Sequence, residues 1–296
     1  MAFSKRRSQR GLALLIALMI VVIATTIAVS IIYEEKFTIR KTGHIYAMDR
    51  ANVLTVGMDD YARVILREDQ QDSTTDSLDE TWAKGVAGQP FEGGYFTGYL
   101  EDEQAKFNIN SIAISAVALK RFERLCDNLG VDKKIIPALM DWIDKDSDIR
   151  YPDGMEEIHE NYRIANREIA DISELLLLHN IEPEMYEKLK PYITALPAPS
   201  NLNVNTMSGV VFQSLGPGGE TDKFTEERED DPYDSVADFV DRLQFPVEEE
   251  GLSIDTRYFR AYGQVTLGEQ VYNLSSLIYR DDKGNTTVLN RTLGKY

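Results

Sequence analysis

Residues 12–32 form an uncharged apolar run, LALLIALMIVVIATTIAVSII, and this run decides the fold of the chain. At ~1.5 Å per residue, a helix over this run spans about 30 Å, the thickness of one bilayer core. Residues 1–11, MAFSKRRSQRG, carry four basic side chains and no acid. Because basic residues before an apolar helix hold that end in the cytoplasm, the sequence predicts a membrane span with the rest of the chain on the opposite side.

Three kinds of N-terminal segment have this pattern. A cleaved secretory signal is disfavoured, because its apolar region is usually ~7–15 residues long. A plain single-pass anchor remains open. The third is a prepilin-type leader over residues 1–11, in which a peptidase on the cytoplasmic side cuts after Gly11. Leu12 would then be the new N-terminus, and the apolar helix would remain after cleavage.

The helical pattern continues beyond the apolar run. No Pro or Gly occurs from Leu12 to Lys41, and apolar residues then recur every three or four positions as far as Ile65. The sequence predicts one helix over 12–66, ~80 Å long, with a transmembrane first half over 12–32 and an amphipathic second half. A plain membrane anchor does not require an amphipathic second half of the helix, whereas a pilin-like subunit packs that half under a globular head.

The rest of the chain predicts an α+β fold. We expect 67–110 to be the first part of a β domain with a pilin-like antiparallel sheet. We expect 111–200 to be a large all-α insertion and 201–296 to be the second part of the β domain. The long N-terminal helix would pack on this sheet.

Short polar segments punctuate this arrangement. The pairs Asn108/Asn110 and Asn203/Asn205 stand on either side of the predicted insertion, each in an extended segment. The acidic segment 68–84 predicts a surface loop, and the Gly- and acid-rich segment 214–232 predicts a mobile loop.

Composition limits the function. The 296 residues carry 32 Lys and Arg against 49 Asp and Glu, a net charge of −17. Phosphate binding needs clustered positive charge, so this balance excludes a general nucleic-acid-binding protein. Cys126 is the single cysteine, and the sequence contains no Ser-His-Asp or P-loop motif. The sequence therefore predicts a protein that is not an enzyme.

The densest acidic cluster, 141–160, holds eight acids and two bases. Such close acids repel one another unless water or a cation neutralises them, and carboxylate oxygens suit Ca²⁺. The segment begins like an EF-hand loop, but Ile149 stands where the turn Gly belongs and Met155 where the bidentate Glu belongs. A calcium loop of another kind and a solvated acidic face both remain open. The candidate ligands are Asp141, Asp144, Asp146, Asp148 and Glu156.

Several of these features occur together in a known family. The residues that carry the resemblance are Arg10-Gly11 before Leu12, Asn108 with Asn110, Asn203 with Asn205 and Thr206, Asp141-Trp142-Ile143-Asp144 with Asp146, then Gly154, Glu156, Asn166, Ser173-Glu174-Leu175, Tyr258-Phe259 and Tyr279-Arg280. In this order over nearly the whole chain, they resemble the K-type minor pseudopilins of bacterial type II secretion systems (general secretion pathway protein K).

The resemblance implies a function. Such proteins form a tip complex with I- and J-type minor pseudopilins on a short periplasmic pseudopilus, which assists export of folded proteins through the outer-membrane secretin. The resemblance also implies a single-pass protein of the bacterial inner membrane with its C-terminal domain in the periplasm. Prepilin peptidase would cut the leader, Leu12 would be N-methylated, and the mature subunit would meet the major pseudopilin and the inner-membrane assembly platform.

Two alternatives remain open: a minor pilin of a surface type IV pilus, and an inner-membrane-anchored, calcium-dependent periplasmic enzyme.

The resemblance implies calcium in the helical insertion. Most pilin-like subunits carry Glu at the fifth mature position, where this chain has Ile16, and the absence of that Glu is itself a K-type trait. Many family members have a disulfide in the later loop, for which Cys126 has no partner.

Overall fold

The computed structural model describes residues 4–155, 164–268 and 270–294. The chain divides into two compact units, with the boundary between Leu54 and Thr55. Helix α1 runs over Ser4–Asp72, so the helix predicted for 12–66 exists and extends six residues further, into the segment expected to be a surface loop.

In the N-terminal unit, the side chains of the apolar run of α1 are exposed. Leu14 is 74% exposed and Ile20 is 61% exposed, although both belong to the apolar run. The most apolar stretch has a mean hydropathy of 3.0 and buries none of its residues in the protein. By length and composition this helix can cross a membrane, and its exposed apolar surface fits a lipid environment.

The second unit contains a sheet and a layer of short helices. After α1, the strands and helices in chain order are β1 (Val86–Phe91), β2 (Gly94–Asp102), β3 (Phe107–Asn108), α2 (Ala116–Leu129), α3 (Ile135–Ile143), α4 (Pro183–Leu189), β4 (Ile193–Thr194), β5 (Leu202–Asn203), α5 (Gly209–Gln213), α6 (Thr221–Asp230), α7 (Val236–Arg242), β6 (Leu252–Ser253), β7 (Tyr258–Leu267), β8 (Gln270–Arg280) and β9 (Thr286–Leu293).

The main sheet is antiparallel, with strand order β1-β2-β7-β8-β9. The last turns of α1 pack on one face of it, where Met58 lies against Gly263. A Cβ at Gly263 would come within 2.5 Å of the Met58 sulfur, so the helix needs a glycine there to approach the sheet. Trp82 packs edge-on against Phe259, with ring centroids 5.2 Å apart. The predicted α+β class, with a long helix on an antiparallel sheet, is confirmed.

The helical layer contains the same small unit twice. Strand β3 pairs in parallel with β4, and β5 pairs in parallel with β6. The first Asn of each Asn-x-Asn pair lies in the first strand of its unit. A helix with an N-terminal serine cap follows in each unit, α2 with Ser115 and α5 with Ser208. One hydrophobic cluster spans Phe107–Ile193 and a second spans Leu202–Leu252.

The range 201–296 was expected to form the second part of the β domain, and the second small unit occupies part of it instead. Among the described residues of that range, β7, β8 and β9 alone belong to the main sheet, which resumes at Tyr258. Residues from Leu202 to Leu252 instead surround their own hydrophobic cluster. The extended segment at Asn203 suggested a return to the sheet, but it forms a two-residue ladder within the helical layer.

The expectation of a mobile loop over 214–232 is wrong for Thr221–Asp230, which form helix α6. Phe224 stacks on Phe212 with ring centroids 4.0 Å apart and an interplanar angle of 2°. Arg228 lies over the Phe224 ring and donates to the carbonyl oxygen of Met207. Phe224 and Arg228 are four residues apart and give the helix one buried face, which the acidic composition concealed.

Candidate functional site

The predicted processing junction lies within α1. Gly11 and Leu12 are both helical, and Leu12 is 62% exposed. Ile16, which stands where most pilin-like subunits carry Glu, is 50% exposed. The predicted junction therefore lies within one continuous helix, at the start of the exposed apolar run. Cleavage after Gly11 stays a prediction.

The predicted ion loop begins at the C-terminal end of α3, where Asp141 is fully buried. Asp141 Oδ2 accepts hydrogen bonds from the backbone N–H of Arg150 at 3.1 Å and of Met155 at 2.8 Å. A Cβ at Gly154 would collide with Asp141 Oδ2, so the glycine permits this reversal of the chain. The buried carboxylate of Asp141 therefore fixes the path of the loop backbone through these two hydrogen bonds.

Arg150 brings two of the candidate ligands together. Its Nη1 donates to Asp141 Oδ1 at 2.6 Å and also to Asp144 Oδ2. These two carboxylates raise the pKa of Arg150 above its ordinary value, the hydrogen bond to Asp141 being the largest cause. The guanidinium thus supplies positive charge where the sequence suggested a metal ion.

The other candidates lie apart from this pair. Asp146 Oδ1 accepts from the backbone N–H of Asp148 at 2.9 Å, and both residues are exposed. Glu156 lies outside the described residues. In the described part of the chain, carboxylate oxygens of three acids approach within 4.8 Å of one another elsewhere, at Asp69, Asp76 and Glu80.

The carboxylate oxygens of the loop are nevertheless of the kind that a hard cation takes as ligands. Asp144 Oδ1 is buried and has no hydrogen-bond partner among the described residues. A buried carboxylate oxygen without a donor is costly, and Ca²⁺ takes carboxylate oxygens as ligands. Asp144 therefore retains one oxygen for an ion while its other oxygen contacts Arg150.

A buried charge network lies beyond the end of α1. Arg280, 3% exposed, donates through Nη1 to Asp69 at 2.8 Å and through Nη2 to both oxygens of Asp76. Its guanidinium also lies 4.7 Å from the centroid of the Phe259 ring. The network joins the end of α1, the following segment and β8. The sequence had indicated only a polar surface loop over 68–84, so it gave no signal for the buried Asp76.

Asp102 is a second buried carboxylate, and it accepts four hydrogen bonds without a cation among the donors. Gln104 N–H donates to Oδ1 at 2.6 Å. Oδ2 accepts from Thr206 Oγ1 at 2.5 Å, from Thr256 Oγ1 at 2.6 Å and from Asn203 Nδ2 at 3.1 Å. Burial raises the pKa of Asp102 to about 7.

The asparagine pairs noticed in the sequence brace distant segments. Asn110 bonds Ile169 through both ends of its amide, donating to the carbonyl and accepting from the N–H. Asn205 does the same with Tyr233 in the second helical unit. A backbone-like amide held in this way fixes two chain segments at once, so these motif residues are structural.

The chain is similar to proteins of one secretion family. The family model "Type II secretion system (T2SS), protein K" matches residues 105–198. A type II secretion system protein K from Pectobacterium carotovorum is 30% identical and covers 69% of this chain and 68% of the relative. The corresponding protein of Pseudomonas aeruginosa is 29% identical and covers 98% of this chain and 94% of the relative.

A solved structure has the same fold. The crystal structure of the GspK-GspI-GspJ complex from enterotoxigenic Escherichia coli contains a chain that matches with a TM-score of 0.75 at 24% sequence identity. The match covers 86% of this chain and 100% of that chain.

Proposed function

The chain belongs to the type II secretion system protein K family, and on that premise we propose that it is the minor pseudopilin at the tip of the secretion pseudopilus. One observation supports this role above the others. The first part of α1 exposes a long apolar surface, and the last part of the same helix packs on an antiparallel sheet. A subunit that moves from membrane to filament needs both properties in one helix.

The proposed partners are the I- and J-type minor pseudopilins. Support comes from the GspK-GspI-GspJ complex, whose matching chain shares this fold. The major pseudopilin, the prepilin peptidase and the inner-membrane assembly platform are further proposed partners. In this role the chain assists export of folded proteins through the outer-membrane secretin and has no catalytic activity.

The proposed location is the inner membrane, crossed once, with the C-terminal domain in the periplasm. The exposed apolar run supports the span, and the basic residues before it support a cytoplasmic N-terminus. Cleavage after Gly11 would make Leu12 the mature N-terminus, which would then be N-methylated.

Calcium is the proposed structural ion of the 141–156 loop. Asp144 would hold it through the buried oxygen that has no hydrogen-bond partner among the described residues, together with carboxylate oxygens of Asp141, Asp146, Asp148 and Glu156. The ion would supply positive charge beside Arg150 and stiffen the loop without serving catalysis.

Co-expression of the full chain with candidate I- and J-type subunits and a prepilin peptidase tests the proposed function. Affinity purification through an I-type tag should recover all three subunits in equal amounts. A strain that lacks this chain should retain its exoproteins in the periplasm and regain secretion with the gene restored. Normal secretion without the chain, or failure to recover it with both partners, would contradict the proposal.

A further inference from the structure

Residues 36–48 of α1, KFTIRKTGHIYAM, are unusual for this chain because they contain three cations and no acid. The whole sequence has 49 acids against 32 bases. We call this stretch the juxtamembrane basic segment. It begins four residues after the apolar run ends at Ile32, and it is helical throughout.

The three cations of the juxtamembrane basic segment, Lys36, Arg40 and Lys41, lie on one side of the helix, within an arc of about 140°. Lys36, Arg40 and His44 follow one another at four-residue steps, so each lies ~6 Å further along the helix and only ~40° further round it. Lys41 lies about 60° beyond His44, on the same side of the helix. Glu34 and Glu35, which come just before the segment, fall at the margin of this face and opposite it.

None of these cations has an acid placed to neutralise it within the helix. Neighbours on a helix surface are three or four residues apart, and no Asp or Glu stands at those distances from Lys36, Arg40 or Lys41. Arg40 stands four residues after Lys36, so two like charges are neighbours on the helix surface. In the described part of the chain, no ion pair involves these three cations. Like charges at this spacing destabilise a helix, so the arrangement favours an external anion.

The position of the segment indicates which anion. With ~1.5 Å of rise per residue, Lys36 lies about 6 Å beyond the end of the apolar run, and the polar headgroup region is ~5–7 Å deep on each side of the bilayer core. Arg40 and Lys41 lie ~12–14 Å beyond the run, and their long side chains can reach back towards the phosphates. Tyr33 and Phe37 are 71% and 70% exposed at the same level, where aromatic side chains mark a membrane interface.

From this geometry we infer that the juxtamembrane basic segment binds the phosphate groups of anionic phospholipids in the leaflet where α1 leaves the membrane. The inference rests on the proposed membrane span. The bound headgroups neutralise Lys36, Arg40 and Lys41 and fix the depth of the helix in the bilayer. Neighbouring zwitterionic lipids carry no net charge and compete weakly for the same cations.

The test measures which lipids are retained by the full chain expressed without prepilin peptidase, so that residues 1–11 remain attached. The protein is purified in a detergent doped with equimolar phosphatidylglycerol and phosphatidylcholine, and retained lipids are counted by mass spectrometry. The basic residues at positions 5, 6, 7 and 10 also attract anionic lipid, so the variant K36Q/R40Q/K41Q is compared with K5Q/R6Q/R7Q, which loses the same charge. Circular dichroism and the thermal midpoint check that both variants fold.

We expect wild type to retain phosphatidylglycerol over phosphatidylcholine by at least about fivefold, and K36Q/R40Q/K41Q to lose most of that preference. The K5Q/R6Q/R7Q variant should keep a clear preference. A preference unchanged in K36Q/R40Q/K41Q would overturn the inference, as would its loss only in K5Q/R6Q/R7Q. If the face instead meets an acidic neighbouring subunit, K36Q/R40Q/K41Q keeps the wild-type lipid preference but fails to assemble, which also overturns the inference.

Failure of the proposed span has a separate signature. Alkaline carbonate would then release the wild-type chain from membranes. If the wild-type chain resists carbonate extraction but K36Q/R40Q/K41Q keeps the wild-type lipid preference, the chain spans the membrane without the proposed lipid contact.

Discussion

Arg280 Nη2 donates to both carboxylate oxygens of Asp76, at distances of 2.6 and 2.5 Å. The two side chains are 204 positions apart in sequence and no more than 3% exposed. Because Arg280 also contacts Asp69, one guanidinium joins the end of α1 to the last strands of the sheet. A buried pair of this kind is most costly when a single partner is removed, since the remaining charge has no water around it.

We therefore predict that Arg280→Met lowers the free energy of unfolding by about 3–5 kcal/mol. Arg257→Met is the matched control, because Arg257 pairs with Asp282 at the surface and exposed pairs contribute only ~0–1 kcal/mol. Guanidinium unfolding followed by tryptophan fluorescence measures both, since Trp82 packs on Phe259 beside the network. Equal destabilisation by the two substitutions would show that the buried network adds nothing beyond a surface pair.

Asp102 predicts a pH dependence of stability. Burial raises its pKa from 3.8 to about 7 in the folded protein, so the folded state binds a proton that the unfolded state releases. The contribution is fully present below pH ~4 and is lost as the pH rises through about 7. Between pH 5 and pH 8, we expect the free energy of unfolding to fall by on the order of 2 kcal/mol.

Asp102→Asn should flatten this pH dependence, because an amide does not ionise. Glu187→Gln, at an exposed site, should leave it unchanged. Some slope should remain in Asp102→Asn, since burial also raises the pKa of Asp69 to about 7. Unfolding midpoints at pH 5, 6.5 and 8 give the comparison, and an Asp102→Asn slope equal to that of wild type would rule out Asp102 as its source.

Local patterns predicted much of the fold, and distant pairings account for what the sequence missed. The helix over 12–66 was predictable because apolar spacing along one helix is a local signal. Asp76 looked like a surface residue because its partner Arg280 lies far along the chain. The Asn-x-Asn pairs were recognisable in the sequence as a repeat. Their structural role was not, because it depends on which distant residue each amide bonds, as Asn110 bonds Ile169. Asp141 and Asp144 do come together, around Arg150.

The proposed calcium loop predicts a stability gain that depends on the ion. Extracellular sites bind calcium at ~10⁻⁴–10⁻³ M, and a ligand at 100 times its dissociation constant adds about 2.7 kcal/mol. We expect calcium to raise the thermal midpoint of wild type over that in chelator, and Asp144→Asn with Asp146→Asn to abolish the difference. Asp222→Asn with Asp230→Asn removes equal charge from exposed positions of α6 and should keep the difference. Identical wild-type midpoints in calcium and chelator would show that Arg150 and water neutralise the loop.

The leader predicts cleavage at a single bond. A prepilin-type peptidase would cut after Gly11, so wild type should have Leu12 as its N-terminus, and Gly11→Ala should leave residues 1–11 attached. Gly43→Ala is the matched control, because it makes the same change in α1 where an added Cβ meets nothing within 4 Å. It should be processed like wild type. Intact-mass measurement after co-expression with the peptidase distinguishes these products. A mature end near Ser30 or Tyr33 would instead indicate a secretory signal peptide, and normal processing of Gly11→Ala would contradict the assignment of the junction.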